Sequence, residues 1–425
     1  MANGSAPVAR SEHRLPVNSR RKSGRPDCSA MSKPAGKTST FANLASDTHA
    51  LRRSLARAMI RGLSKPAAAH ADAGRLPDTG IFRILVCRVS HTLGNTLLLT
   101  PLLRELESVY PGAEIDIVTR SPVADEVFGG FYGVRRAFVL PRWGFAHPFR
   151  FLRVLRQLRQ THYDLVIDPD PRSSTGRALL NRSRSSYTLG FVGPHKRGPL
   201  SHAVAVPPRG RLRAGQRPVF LLRSALGTNE HIAATDRPAT DYPSPDIRLH
   251  ADERERGREA LERVLSGQHA ADRKDGVIGI FANATGDKKL ATEWWTRFLR
   301  VLEAGSPGHA IVEIIPASAT SLLDSRYPAY YSSSVRKLGA VLSNLSIYIS
   351  ADCGIMHLAN ASGTATIGLF SGTDLSEWAP YGRGSHAVET THRTPEQVAE
   401  EVLTLVKRAS AEPPQPGSFD RRLTG

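Results

Sequence analysis

From residue 82 onward the chain alternates between short apolar runs and longer stretches in which apolar residues recur every third or fourth position. Phe82–Cys87 is apolar at five of its six positions, which predicts a buried strand, and Leu98, Leu102, Leu103 and Leu106 then mark one face of a helix that Tyr110-Pro111-Gly112 ends. Glu114–Val118 and Tyr163–Ile167 read as further strands of a βαβ series. Thr228–Pro245, with Pro238, Pro243 and Pro245, predicts a loop, and Asp252–Gly267 a charged helix leading into a second series. That series opens with the strand Val277–Phe281. It continues through the apolar run Leu345–Ile349, a helix that Gly363 closes and the strand Ala365–Phe370, and finishes in a helix over Thr394–Lys407. At 425 residues the chain exceeds one ordinary core, so two to three domains are expected.

The first 80 residues break this pattern. Residues 1 to about 47 are rich in Ser, Pro, Ala, Gly and Arg without periodicity, which predicts disorder. Leu51, Leu55, Met59 and Leu63 then recur every four residues while Arg53, Arg57 and Arg61 fall on another face, a basic amphipathic helix. Residues 48–65 could therefore lie on an anionic membrane surface, or form a solvated extension. The formal charge of +18 is concentrated here, because residues 1–80 carry fourteen Lys/Arg against five Asp/Glu, +9. No zinc-finger, recognition-helix or aromatic-interleaved pattern accompanies the charge, so nucleic acid is not the expected partner. The three cysteines, Cys28, Cys87 and Cys353, are far apart and lack metal-ligand spacing, which predicts a reduced, cytoplasmic protein without structural metal. No apolar run reaches eighteen residues, and no signal-peptide core is present at the N-terminus.

The densest chemistry lies at Ser350-Ala351-Asp352-Cys353-Gly354-Ile355-Met356-His357. A strand delivers the chain to a small polar turn, and a helix follows. Such a turn aims free N–H groups and the positive end of the helix dipole outward, where a phosphate or diphosphate can sit. The alternative is an ordinary βα connection in which Asp352 caps the helix. The stretch resembles the nucleotide-sugar motif of glycosyltransferase family 9, the bacterial heptosyltransferases, written D-T-G-x-x-H-L-A-A-x-G-T. Asp352, Gly354, His357, Leu358 and Ala359 match in place, and Gly363 and Thr364 follow one position later than the pattern has them, with Cys353 in place of Thr. Gly368-Leu369-Phe370-Ser371-Gly372-Thr373-Asp374 and Trp378-Ala379-Pro380-Tyr381-Gly382 extend the resemblance.

Arg88 to Leu106 is similar to the family's opening motif R-x-S-x-x-G-D-x-x-x-T-x-P-x-L-x-x-L, with one extra loop residue. Where the family carries an Asp as base for the acceptor hydroxyl, this chain has Asn95, and a carboxamide takes no proton near neutral pH. Asn95 can cap a helix or hold a sugar. His91, four residues earlier, has a near-neutral reference pKa and is the expected substitute base. Arg172 and Arg177, in an Arg-rich stretch beside Tyr163-Asp164-Leu165-Val166-Ile167-Asp168, suit an anionic acceptor, or else form a solvated basic face. In the second series Lys288, Glu293 and Trp295 keep the family's spacing, so Lys288, with Thr285 beside it, is expected at the diphosphate. The Gly-rich stretch usual after the next strand is replaced by Ile314-Ile315-Pro316-Ala317-Ser318-Ala319.

The resemblance implies the GT-B fold, two Rossmann-like domains facing across a cleft. The expected organisation is a disordered basic extension (1–80), an acceptor domain (81–250), a nucleotide-sugar domain (251–412) and a frayed tail (413–425). It implies an inverting transferase that moves heptose from ADP-heptose onto a lipopolysaccharide or related surface glycan without metal or other cofactor. Its nucleotide-sugar site would be Thr285, Lys288, Asp352, Cys353, Gly354 and His357, and its place the cytoplasm or the inner membrane face. Two other readings remain open: a transferase of this fold using another nucleotide sugar, and a non-catalytic binding homologue that lost the base.

Overall fold

The computed structural model describes residues 74–411 except 142–146, 195, 229–241, 268–273, 285 and 316–319. The basic extension, its amphipathic helix, the tail and Thr285 therefore lie outside the described residues. Among the described residues no helix is long and apolar enough to cross a membrane.

In the first half the elements are β1 (Arg83–Cys87), α1 (Leu93–Leu97), α2 (Thr100–Val109), β2 (Glu114–Thr119), α3 (Ala124–Phe128), β3 (Val134–Val139), α4 (Pro148–Gln160), β4 (His162–Asp168), α5 (Ser174–Leu180), β5 (Arg184–Val192), β6 (His202–Ala205) and α6 (Arg217–Ala225). The second half holds α7 (Ala251–Val264), β7 (Gly276–Phe281), α8 (Thr292–Gly305), β8 (His309–Ile315), β9 (Ala329–Tyr331), α9 (Val335–Leu342), β10 (Ile347–Ala351), α10 (Gly354–Ala361), β11 (Thr366–Phe370), α11 (Leu375–Trp378), β12 (His386–Glu389) and α12 (Pro395–Ala411). The helix expected to include Leu98, Leu102, Leu103 and Leu106 begins at Thr100, and Leu98 lies in the turn after a separate short helix, α1. Pro101 has no N–H to give to a continuing helix, so α2 restarts at Thr100, whose hydroxyl donates to the Leu97 carbonyl at 2.7 Å.

Each half is a six-stranded sheet, in the orders β3-β2-β1-β4-β5-β6 and β12-β11-β10-β7-β8-β9, and the neighbouring strands pair in parallel. These are two doubly wound sheets of the same order, with crossovers that reverse between β1 and β4 and between β7 and β10. Ligands of such sheets bind at those points, beyond the carboxyl ends of the strands. Parallel strands are covered on both faces, which is why the runs read as apolar throughout. In β1, Ile84 and Val86 enter one core cluster while Leu85 and Cys87 enter another. The cluster that takes Ile84 and Val86 also takes Val277, Phe281, Tyr348 and Leu358, so the two halves share apolar packing.

Polar contacts join the halves at the edges of that packing. Glu377 of α11 is buried and accepts from Arg172 (2.6 and 2.7 Å) and Arg217 (2.8 Å) of the first half. Near the crossover Arg336 donates to the Glu126, Ile247 and Arg248 carbonyls and pairs with Glu253, and the Ile247 amide donates to the Ala361 carbonyl at 3.0 Å.

Candidate functional site

The reversal points of the two sheets open on one cleft of about 690 Å³. Its first-half wall is Thr92, Leu93, Gly94 and Asn95, the loop after β1 and the start of α1. Its second-half wall comes from the ends of β7 and β10: Asn283, Ala284, Lys288, Asp352, Cys353, Gly354 and His357, with Trp378 at one side.

Ala351 ends the apolar strand β10 and Asp352 follows it with its amide donating to the Leu369 carbonyl at 3.0 Å, so the chain leaves the sheet along β11 before turning. The N-cap of α10 is Cys353, in extended conformation, and no side chain caps the helix by a hydrogen bond. Asp352 is therefore not a cap. Its carboxylate instead accepts from Lys288 Nζ at 2.6 Å, a cation carried by the turn Gly286–Lys288 after β7. Asp352 is almost wholly covered while Lys288 keeps 39% of its side chain exposed, which leaves the amine free to reach an anion in the cleft. Burial pushes the Cys353 thiol up, against the pull of the Met356 and Ile355 amides, so it is neutral near pH 7.

His357 lies one turn into α10, 4% exposed, and its Nδ1 has no partner among the described residues. Burial, helped by Lys288 and opposed by Asp352, brings its pKa down to about 4, so the imidazole is neutral at pH 7. Its ring edge lies against the first half: a β-carbon at Gly94 would stand 2.9 Å from His357 Cδ2. Gly354 is equally tight, since a β-carbon there would come 3.3 Å from both the Gly94 nitrogen and Leu93 Cβ. Helices α1 and α10 thus meet through glycines.

Asn95 lines the cleft, and its side chain is held at both ends. Arg88 Nη2 donates to its Oδ1 at 3.0 Å and its Nδ2 donates to Thr92 Oγ1 at 2.9 Å, while Arg88 also pairs with Asp170 at 2.8 Å. His91 sits just ahead of this wall, exposed, and is not one of the residues lining the cleft.

The two expected acceptor arginines do other things. Arg177 is 1% exposed, with Nη2 donating to the Phe191 carbonyl at 2.7 Å and Nε 3.5 Å from the buried Asp168, so its guanidinium braces the end of the sheet and faces no solvent. Arg172 is exposed, but its Nη2 is engaged by both oxygens of Glu377, and it links the halves. Asp168 itself is fully buried and paired with Lys196 at 2.7 Å. Thr92, Asn283 and Trp378 are among the cleft residues that were not singled out from the sequence. Asn283 and Thr92 follow strand ends at the reversal points, which is the signal that could have found them, and Trp378 stands inside the matched Trp-Ala-Pro-Tyr-Gly segment.

Several solved structures share this architecture. A glycosyltransferase of family 9 from Veillonella parvula superimposes with a TM-score of 0.63 at 18% identity, covering 79% of this chain and 99% of that one. The E. coli heptosyltransferase WaaC, solved with ADP, gives 0.56 at 18% identity over 77% of this chain and all of its own. E. coli ADP-heptose lipopolysaccharide heptosyltransferase II gives 0.56 at 15%, over 78% and 100%. By sequence alone, no curated protein matches. The fold is thus GT-B. Residues 332–407 match the model of glycosyltransferase family 9 (heptosyltransferase), which is the family that the motifs around Asp352 and Trp378 name.

Proposed function

We propose that the protein transfers a sugar from a nucleotide diphosphate sugar, ADP-heptose by its family, onto an anionic surface glycan of the lipopolysaccharide kind, with inversion and at the cytoplasmic side of the membrane. One observation carries the reading: Lys288, paired to Asp352, and the uncapped N-terminus of α10 face the same cleft as Asn95 of the opposite half. In this reading Lys288 and the amides at Cys353 and Gly354 stabilise the departing diphosphate, where negative charge grows as the glycosidic bond breaks. The neutral His357 beside them offers Nδ1 as a hydrogen-bond partner for the donor. Asn95, fixed by Arg88 and Thr92, orients the acceptor hydroxyl toward the anomeric carbon, and because its amide takes no proton, the hydroxyl proton passes to water in the open cleft.

That last point favours a second reading, a homologue that binds nucleotide sugar but transfers it poorly. A thermal-shift panel of ADP, ADP-heptose, and UDP- and GDP-sugars, followed by a transfer assay with any donor that binds, separates the two. An adenine nucleotide that raises the midpoint and a transferred heptose support the proposal. Stabilisation by UDP- or GDP-sugars alone overturns ADP-heptose as donor, and binding without transfer leaves the second reading standing.

A further inference from the structure

Helix α4 has an outer face that neither the fold nor the cleft uses. Its sequence is PFRFLRVLRQLRQ. Phe151 and Leu158 are buried and pack with Phe138, Leu140, Tyr163 and Leu179, and Val154 and Leu155 lie half-buried against the same cluster. At 100° per residue, Phe149 and Leu152 project away from that side, and they are 85% and 53% exposed. Around them stand Arg150, Arg153, Arg156 and Arg159, all exposed, and the helix has no acidic residue.

A solvated helix of this protein looks different. On α7 three of the four exposed arginines are answered one turn away, Arg256 by Asp252 at 2.7 Å, Arg258 by Glu255 at 2.6 Å and Arg263 by Glu259 at 3.9 Å, and the fourth, Arg254, donates to the Ser362 carbonyl at 3.2 Å. None of the four α4 arginines forms an ion pair or hydrogen bond with a described residue. Four like charges on one helix repel each other, and a nearly bare phenylalanine among them gains nothing from water.

We propose that the outer face of α4 docks on a bilayer bearing anionic headgroups, with Phe149 and Leu152 entering the interface and the guanidinium groups meeting lipid phosphates. The charge selects an anionic partner, and the two apolar side chains select a lipid surface over a soluble polyanion, which would leave them idle. This rests on α4 alone and does not depend on the transfer reading.

The test is cosedimentation of the full-length protein with vesicles of phosphatidylcholine, alone or mixed with phosphatidylglycerol. Three variants are compared: Phe149→Ser/Leu152→Ser; Arg150→Gln/Arg153→Gln/Arg156→Gln/Arg159→Gln; and, as a control on α7, Arg256→Gln/Arg258→Gln/Arg263→Gln. Wild type and control are expected to bind the anionic vesicles well and the neutral ones poorly, and both α4 variants to bind at least about tenfold more weakly. Wild-type binding by both α4 variants would move any membrane contact away from α4 and overturn the proposal. So would a serine variant that binds normally while the glutamine variant fails, because attraction to charge alone needs no inserted side chain. Should the glutamine variant not fold, Phe149→Trp with brominated lipids decides the matter: quenching beyond that of the wild-type tryptophans supports insertion, and none refutes it.

Discussion

Gly94 and Gly354 meet across the cleft: a β-carbon on Gly354 would lie 3.3 Å from the Gly94 backbone nitrogen. The absence of a side chain at 354 thus lets two helices from different halves touch, and on the transfer reading it also leaves room for a diphosphate. Gly354→Val has to push α1 from α10. We expect a lower thermal midpoint together with at least about a tenfold loss of ADP affinity, about 1.4 kcal/mol, and smaller losses of both in Gly354→Ala. If the valine protein melted and bound ADP like the wild type, both the contact and the site would be misassigned.

Lys288 and Asp352 form a pair at 2.6 Å beside which, on the transfer reading proposed above, the donor diphosphate would bind. Removing the amine leaves a nearly covered carboxylate facing an anionic ligand. Lys288→Ala should weaken ADP binding by about tenfold or more, and adding Asp352→Asn should recover part of the loss by removing the repulsion. Isothermal titration on the two single variants and the double variant checks this. A double variant as weak as the sum of the singles would mean that the two residues act independently.

Glu377 is the buried partner of Arg217 and the anchor of Arg172. Glu377→Ala strands Arg217, 7% exposed, without its carboxylate, and should cost about 3 kcal/mol in chemical denaturation. Arg172 is 63% exposed, so Arg172→Ala should change stability little. Because its guanidinium is held between the halves, the acceptor KM should also stay within about twofold of wild type. A large rise in KM would return Arg172 to the acceptor role expected from the sequence.

The clamp at Glu377 also shows where sequence reading stopped. Strands such as Phe82–Cys87 and Val277–Phe281 announce themselves because both faces of a parallel sheet are apolar, and the turn at Asp352–Gly354 is a contiguous string whose chemistry is local. Arg172 and Glu377 are 205 positions apart, and nothing near either one names the other. Arg177 has the same letter as an exposed arginine, and only the fold puts it beneath the Phe191 carbonyl. The edge strands β6, β9 and β12 have three or four residues each and alternate burial with exposure, so they left no apolar run to find.

His357 makes stability depend on pH in a defined sense. Its folded pKa, about 4, lies below its ordinary value of 6.5, so the folded state holds the proton less well than the unfolded chain. The folded state is unpenalised above pH 6.5, and stability falls as pH drops through the interval to about 4, by about 3 kcal/mol in all. His202 and His309 are shifted in the same direction by burial, so wild type must be compared with His357→Gln, in which both remain. The difference in unfolding free energy between the two proteins should change across pH 6.5 to 4 and be flat above it. A flat difference throughout would place His357 in contact with water.

On the transfer reading, the loop before α1 is where a base for the acceptor proton would stand. Asn95 faces the cleft where the family has a carboxylate, while the His91 imidazole lies outside the lining residues. An aspartate at 95 would keep the partners that Asn95 Oδ1 and Nδ2 now have, since Arg88 donates and the Thr92 hydroxyl can turn to donate. It would also gain what the amide lacks, a site for the acceptor proton. General-base catalysis contributes on the order of 10² to 10⁴ in rate. The Arg88 guanidinium would stabilise the ionised carboxylate and weaken it as a base, which points to the lower end of that range. Asn95→Asp is therefore expected to raise turnover by about 10², with donor affinity unchanged, and His91→Ala to alter turnover less than about threefold. Single-turnover transfer measured with wild type and both variants under one set of conditions tests the assignment. A collapse of rate in His91→Ala with no gain in Asn95→Asp would show that the loop rearranges to bring the imidazole over the donor, and would make His91 the base.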